Sequence, residues 1–506
     1  MTTEFTVEHP LINRYSSSEM KKLYSDEFKF GSWRNFWVNY AEALMEVSNE
    51  KIATKEEVDD LRSKMSPKYI DWKIVKEIEK RKGHDVVAHV EHYRNQCPTG
   101  GRLVHLALTS RDVTDNVELY QLKKGLQNIH ARSVNSLRVT ARNVEKYRDV
   151  ATVAQSHLQK ADIITEGKRI AMWGNPLLMS IERLEYEIEN FKGRGIEGAV
   201  GDRSQLTKLL DGNREAAKKV NEKVMQKMGF NGSFIAIGQQ YPREYECMIF
   251  NPLSVQCANM HKVAEDICIL QHDVEMEEPF SEEKVGSSAM GGKRNPNLSE
   301  RMSGLSTYVN RQIELAWDAT ANAKLEGDVR DSAMRRMYHM ETMLGMDALH
   351  TLYQTIMDGI TVYDKVCMKN VMDSLAITSL QSIETEAGKR GGDKTLLHTR
   401  IRDLAMKDFE SIRKEGKESR LIQNVKQDEM FSKYLKPEDI DAILVPSKRI
   451  EESQRICEEF VLASKKVLDR NKNIFPRLIK TQIELYYRII CLLICTRREI
   501  LFLLFS

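Results

Sequence analysis

Eleven prolines in 506 residues leave two long intervals with none, from Thr99 to Asn175 and from Asn297 to Lys436. Proline inside a helix removes a hydrogen bond and costs roughly 3 kcal/mol, so intervals this long permit helices that most sequences interrupt. The apolar pattern within them is helical. Between Asp112 and Arg148, the residues Val113, Val117, Leu122, Leu126, Ile129, Leu137, Ala141 and Val144 mostly keep the three-and-four spacing of one helix face. A second stripe, Met302, Leu305, Val309, Ile313 and Ala316, follows Pro296. Both drift too far for strict heptads, which favours a helical bundle over a coiled coil. The fold class expected is mainly α.

Proline and glycine punctuation divides the chain into an N-terminal helical part, 1–110, a central bundle, 111–364, a C-terminal helical part, 365–470, and an atypical tail, 471–506. A hydrophobic fraction of 41% suffices for a large core. With 76 Lys+Arg against 74 Asp+Glu, neither sign dominates, which argues against nucleic-acid binding by bulk electrostatics and leaves room for a local anion pocket. The eight cysteines form no C-x-x-C pair and are too sparse for a disulfide scaffold, so reduced thiols and a cytoplasmic location are expected. Met1–Pro10 has no apolar signal segment. In the tail, two apolar runs, 489–495 and 500–505, are split by Arg497, Arg498 and Glu499, short of the ~20 apolar residues a spanning helix needs. A membrane association is not expected.

The segment richest in chemistry is Gly286-Ser287-Ser288-Ala289-Met290-Gly291-Gly292-Lys293-Arg294-Asn295-Pro296. Its glycines allow close approach to a ligand, successive N–H groups can cradle an anion, and two cations add charge. Such an electropositive loop is where a serine alkoxide becomes affordable as a base. On composition alone, a solvated surface loop, which fits most Gly/Ser-rich stretches, explains it better.

The residue order narrows the choice. The run resembles the signature loop of the fumarase/aspartase superfamily, G-S-S-x-M-P-x-K-x-N-P, departing at a fixed position only in Gly291. Residues 14–43, His84–His89, His105–Ser110, Gly238–Tyr241, Met276–Phe280 and Asp331–Arg336 resemble adenylosuccinate lyases of the animal type. The resemblance covers about residues 10–470. It implies a three-domain fold with a long central bundle, a homotetramer whose sites draw on three chains, and no metal or other cofactor. It implies β-elimination of fumarate from adenylosuccinate, giving AMP, and from SAICAR, giving AICAR.

By the same resemblance Ser287 is the base, and His157, in Gln155-Ser156-His157-Leu158-Gln159, is the acid that protonates the leaving nitrogen. Arg14 and Tyr15 face the phosphate. His84 and Asp85 hold the substrate and orient the acid, Thr109 and Ser110 donate to a succinyl carboxylate, and Gln239 bonds polar groups nearby. Lys293 and Asn295 stabilise the aci-carboxylate, and Arg301, Ser332 and Arg336 contact the phosphoribosyl end. His89 and His92 share a helical spacing but lack partners at metal-site spacing, so no metal is expected there.

Several positions depart from the family pattern. Gly83 and Gly327 stand where arginines are usual, and Gly291-Gly292 replaces a proline–aromatic pair. Lys160 and Asp162 bring charge beside the acid, and Asp202-Arg203 interrupts a Gly-Thr-Gln-Ala-Ser turn. Lys160, Arg203 and Arg330 are candidates to replace the lost cations. These changes leave two alternatives open: a divergent paralogue of weak or no activity serving as an interaction partner, and a superfamily lyase with another succinyl substrate.

Overall fold

The computed structural model describes residues 8–280 and 290–474; Ser287 and the tail from residue 475 lie outside them. Five long helices form the centre: Ser110–Lys146, Glu166–Glu189, Glu244–His272, Asn297–Ala321 and Arg330–Gly359, here the first to fifth bundle helices. The first packs on the second and fifth, the third on the second and fourth, and the fourth on the fifth. Both apolar stripes seen in the sequence turn inward: Val113 through Val144 on the first helix are buried, as are Met302, Val309, Ile313 and Ala316 on the fourth. The mainly α expectation holds.

Two prolines sit inside helices rather than at their ends, Pro176 in the second bundle helix and Pro252 in the third. Proline frees the carbonyl four residues back. Those residues, Met172 and Met248, are half exposed, so the freed acceptors lie on the outer face.

Within the bundle, a ladder of buried polar contacts sets the register of the first helix against the fifth. Ser133 and Ser136 bracket the His350 ring at 3.2 and 3.0 Å. Asn135 donates to Gln354 at 2.8 Å, and Asn143 donates to the Met357 carbonyl at 2.6 Å. A helix slipped by one turn leaves these groups unpaired in an apolar core, at a cost of about 1–3 kcal/mol each.

The first bundle helix is followed by a two-stranded antiparallel hairpin, Ala151–Ser156 with Gln159–Thr165. Its base is apolar and buried, with Ala151, Val153 and Ile163 packed on Val371 and Ile450. Beyond residue 365 a second core forms around Ile383, Leu397, Ile401, Val425 and Phe431. The helix Glu451–Arg470 returns to pack on the first and second bundle helices. Among the described residues, no helix is long and apolar enough to cross a membrane.

Candidate active site

The sequence-derived site residues fall into three groups along the bundle. The first lies at the N-terminal end of the first bundle helix. Thr109 caps that helix, its N–H donating to Asp112 at 2.8 Å. The other Asp112 oxygen accepts from Arg194 and from the backbone of Glu197 and Gly198. Arg194 in turn donates to the Gln239 carbonyl at 2.8 Å, which ties Gln239 to the Thr109 cap. Ser110 Oγ lies 3.4 Å from His84 Nε2, and His84 Nδ1 lies 3.5 Å from Asp85. Asp85 accepts from Arg336 at 3.4 Å, and Ser332 stands one turn before Arg336 on the fifth bundle helix. Seven of the proposed substrate contacts therefore share one end of the bundle.

A buried ionic cluster fixes that end from beneath. Glu246 accepts from Arg335 at 2.8 Å and Tyr241 at 2.5 Å, and contacts Tyr338 and His339. Burial opposes its ionisation, but Arg335, His339 and Arg243 outweigh burial and hold its carboxyl well below the usual range. Arg335 and Arg336 are successive residues, so the anchored Arg335 sets the face on which Arg336 projects. Neither this cluster nor Asp112 was singled out from the sequence. Their signal is a buried charge, which becomes visible only once burial is known.

The second group is Arg14, Tyr15 and Arg301. Ser16 donates to the Leu344 carbonyl at 2.8 Å, and the Ser17 N–H donates to Asp347 at 2.6 Å, seating the Leu11–Tyr15 turn on the fifth bundle helix. The Arg301 guanidinium lies 5.9 Å from the centre of the Tyr15 ring. Leu344 is eight residues beyond Arg336, a rise of about 12 Å along the helix.

The third group is His157, Lys293 and Asn295. His157 and Leu158 form the two-residue tip of the hairpin, with φ of +53° and +57°. Positive φ at both positions is the primed-turn geometry usually filled by Asn and Gly, so a His-Leu tip carries backbone strain. Both side chains project into solvent, Leu158 at 69% exposure. Lys293 is exposed beside Arg294, whose side chain reaches Glu277 at 3.1 Å. The hairpin arm Gln155 contacts Asp273 at 3.4 Å, which sets this group beside the segment leading to residue 280. Ser287 lies outside the described residues.

His157 does not meet the first group within one chain. The first bundle helix has 37 residues, which makes it roughly 55 Å long. A hairpin arm of six residues reaches only about 20 Å back from the opposite end.

The departures from the family pattern acquire physical content. Gly83 ends the Trp72–Lys82 helix in the left-handed conformation, with φ +67°. Gly327 has φ +143°, and a Cβ there stands 3.1 Å from Gln240 Cγ. Both backbones are ones that side-chain-bearing L residues rarely adopt. Of the candidate replacement cations, Arg203 is paired with the buried Glu197 at 2.7 Å. Arg330 donates to Asn322 at 2.7 Å, and Lys160 is exposed on the hairpin. Asp162 is paired with Arg449.

His89 is buried and stacked on Phe30, with ring centroids 4.0 Å apart. His92 Nε2 accepts the Asp71 N–H at 3.0 Å. Burial pushes the His89 imidazole down to about 3, so it stays neutral. Each ring has a packing role.

Residues 15–310, more than half of the chain, match a family model described as Lyase. The chain is 31% identical over 454 residues to adenylosuccinate lyase of Saccharomyces cerevisiae, covering 89% of this chain and 93% of that protein. It is 32% identical to adenylosuccinate lyase of Schistosoma mansoni, covering 84% and 88%. In fold it matches the 3-carboxy-cis,cis-muconate lactonizing enzyme from Pseudomonas putida, with a TM-score of 0.77 at 18% identity over 90% of this chain and 99% of that one. The class is thus a C–N lyase of the fumarase/aspartase superfamily, and within that superfamily the chain belongs to the adenylosuccinate lyase family.

Proposed function

We propose that the chain releases fumarate from adenylosuccinate, giving AMP, and from SAICAR, giving AICAR, at composite sites of a cytoplasmic homotetramer. Ser287 takes the Cβ proton of the succinyl group, and the electron pair forms the fumarate double bond as the C–N bond breaks. His157 delivers a proton to the departing nitrogen. Lys293 and Asn295 face the carboxylate that gains charge, and Thr109 and Ser110 donate to the other. Arg14, Tyr15, Arg301, Ser332 and Arg336 hold the phosphoribosyl end, with His84, Asp85 and Gln239 between.

The observation that carries this reading is His157. A strained, solvent-projecting hairpin tip, remote from the His84–Ser110 group, has no use for a histidine until another subunit brings a site to it. Exposed apolar side chains on the outer faces support the assembly: Met172, Met179 and Tyr186 at seven-residue spacing on the second bundle helix, and Met248, Val255 and Ile269, seven and fourteen residues apart, on the third. The division at residues 110, 364 and 470 belongs to the same reading, supported by the separate core around Ile401.

The test is complementation. Ser287→Ala and His157→Asn are each expected to abolish fumarate release, and mixing the two variants after partial unfolding is expected to restore part of it. An unchanged rate in either single variant removes that residue from its role. Absence of any rescue in mixed tetramers argues against shared sites.

A further inference from the structure

The hairpin that carries His157 is tied at its base to a buried charge cluster that the mechanism above does not use. Arg169, on the first turn of the second bundle helix, donates to the Val153 carbonyl at 2.7 Å and to Thr152 Oγ1 at 3.4 Å, both on the first hairpin strand. The same guanidinium pairs with Glu166 and lies 3.6 Å from Glu275. Thr152 donates to Glu275 at 3.2 Å, and Asn370 donates to its other oxygen at 2.8 Å. Glu275 immediately precedes the strand Met276–Glu277, so one guanidinium joins the hairpin to the segment approaching the signature loop.

The charges in this pocket do not balance. Two carboxylates face one guanidinium, and the remaining titratable neighbour, Cys367 on the helix Asp364–Thr378, is a thiol that burial pushes up to about 12. Glu166, Glu275 and Cys367 offer ligand atoms within 4.8 Å of one another, all buried. Both Glu275 oxygens have donors, whereas Glu166 Oε2 is fully buried without a partner. Burial and the charge on Glu275 push the Glu166 carboxyl up, and Arg169 and the Thr152 hydroxyl offset them only in part. A neutral acid at Glu166 balances the pocket without an ion.

We propose that Arg169, Glu166 and Glu275 are positioning residues for His157, with Glu166 holding one proton on Oε2 so that the guanidinium is left to clamp the hairpin. This rests on the reading of His157 as the acid. A displaced acid loses rate without losing substrate, since misplacement by about 1 Å can cost 10²-fold. Glu166 contributes fully below the ordinary carboxylate pKa, and its contribution is lost as pH rises toward its own raised pKa.

The experiment compares wild type, Arg169→Met, Glu166→Gln and Glu166→Ala as full-length assembled enzyme, by kcat and KM for fumarate release and by hydrogen exchange of residues 151–165. Arg169→Met and Glu166→Ala are expected to lower kcat roughly 10- to 100-fold with little change in KM, and to speed exchange in the hairpin but not in the bundle. Glu166→Gln, which mimics the protonated acid, is expected to rescue both. As pH rises above the ordinary carboxylate range the wild-type hairpin is expected to lose protection relative to Glu166→Gln, a comparison that decides the question even if Arg169→Met does not fold. Equal pH dependence in the two proteins, hairpin exchange unchanged in Arg169→Met, or a stoichiometric metal in the purified enzyme overturns the proposal. Should His157→Asn leave kcat intact, the acid assignment falls, and the exchange data still judge the clamp separately.

Discussion

Restoring the two arginines that the family pattern carries separates a missing charge from a committed backbone. Gly83 and Gly327 look alike in the sequence, yet their surroundings differ. At Gly83 a Cβ meets nothing within 4 Å, so Gly83→Arg costs only the left-handed backbone. That is roughly 1–2 kcal/mol for an L residue. A chain of this size unfolds with an entropy of roughly 1 kcal/mol/K, which converts the cost to a Tm fall of about 1–2 °C. In return a cation stands beside His84. One charge-assisted hydrogen bond to a substrate anion contributes about 1.5 kcal/mol at an open site, or roughly tenfold in kcat/KM.

Gly327→Arg meets an additional obstacle. Gln240 Cγ stands 3.1 Å from the new Cβ, and the Gln240 amide is held by the Asp328 carbonyl and by Asp331. Moving it breaks those bonds at the end of the bundle that seats Ser332 and Arg336. The expectation is a larger Tm fall and no gain in kcat/KM. Fumarate release measured by absorbance, with Tm by calorimetry, tests both variants. An unchanged kcat/KM in folded Gly83→Arg refutes the placement of position 83 against an anion. A gain at Gly327→Arg equal to that at Gly83→Arg refutes the claim that the backbone at 327 is committed.

Two further outcomes follow from the bundle interior. Burial holds His350 near a pKa of about 3, against 6.5 when exposed, so between those values the unfolded chain binds the proton and the folded chain does not. Stability is therefore complete above about pH 6.5 and declines on acidification, by about 2.7 kcal/mol per chain at pH 4.5; a His350→Gln variant should lose less between those pH values in urea titrations, and an identical decline removes His350 as a cause. Gly345→Ala places a Cβ 2.3 Å from Val309 Cγ2 where the fourth and fifth bundle helices cross. It should destabilise by about 1–3 kcal/mol, and Val309→Ala should recover most of that in the double variant.

The long helices were legible because their signal is local. Val113 to Val144 repeat at the period of one helix face, and no proline interrupts them. The hairpin at Ala151–Thr165 was not legible in the same proline-free interval, because its inward positions, Ala151, Val153 and Ile163, need Val371 and Ile450 to give them a face. The candidate site residues were named through motif order, which does not place them. His84, Ser110 and Arg336 lie far apart in sequence, and nothing local brings them within contact.

By itself the sequence determined the helical class, the candidate residues and the two glycines standing where arginines are usual. Only the tertiary structure decided the rest. It put seven candidate residues at one end of the first bundle helix and His157 on the hairpin that follows the other, a separation set by helix rise. It showed that Gly327 is held by its backbone and by Gln240, whereas the space at Gly83 is open. And it buried Glu166, Arg169 and Glu275 together, where charge balance depends on three-dimensional neighbours and not on spacing along the chain.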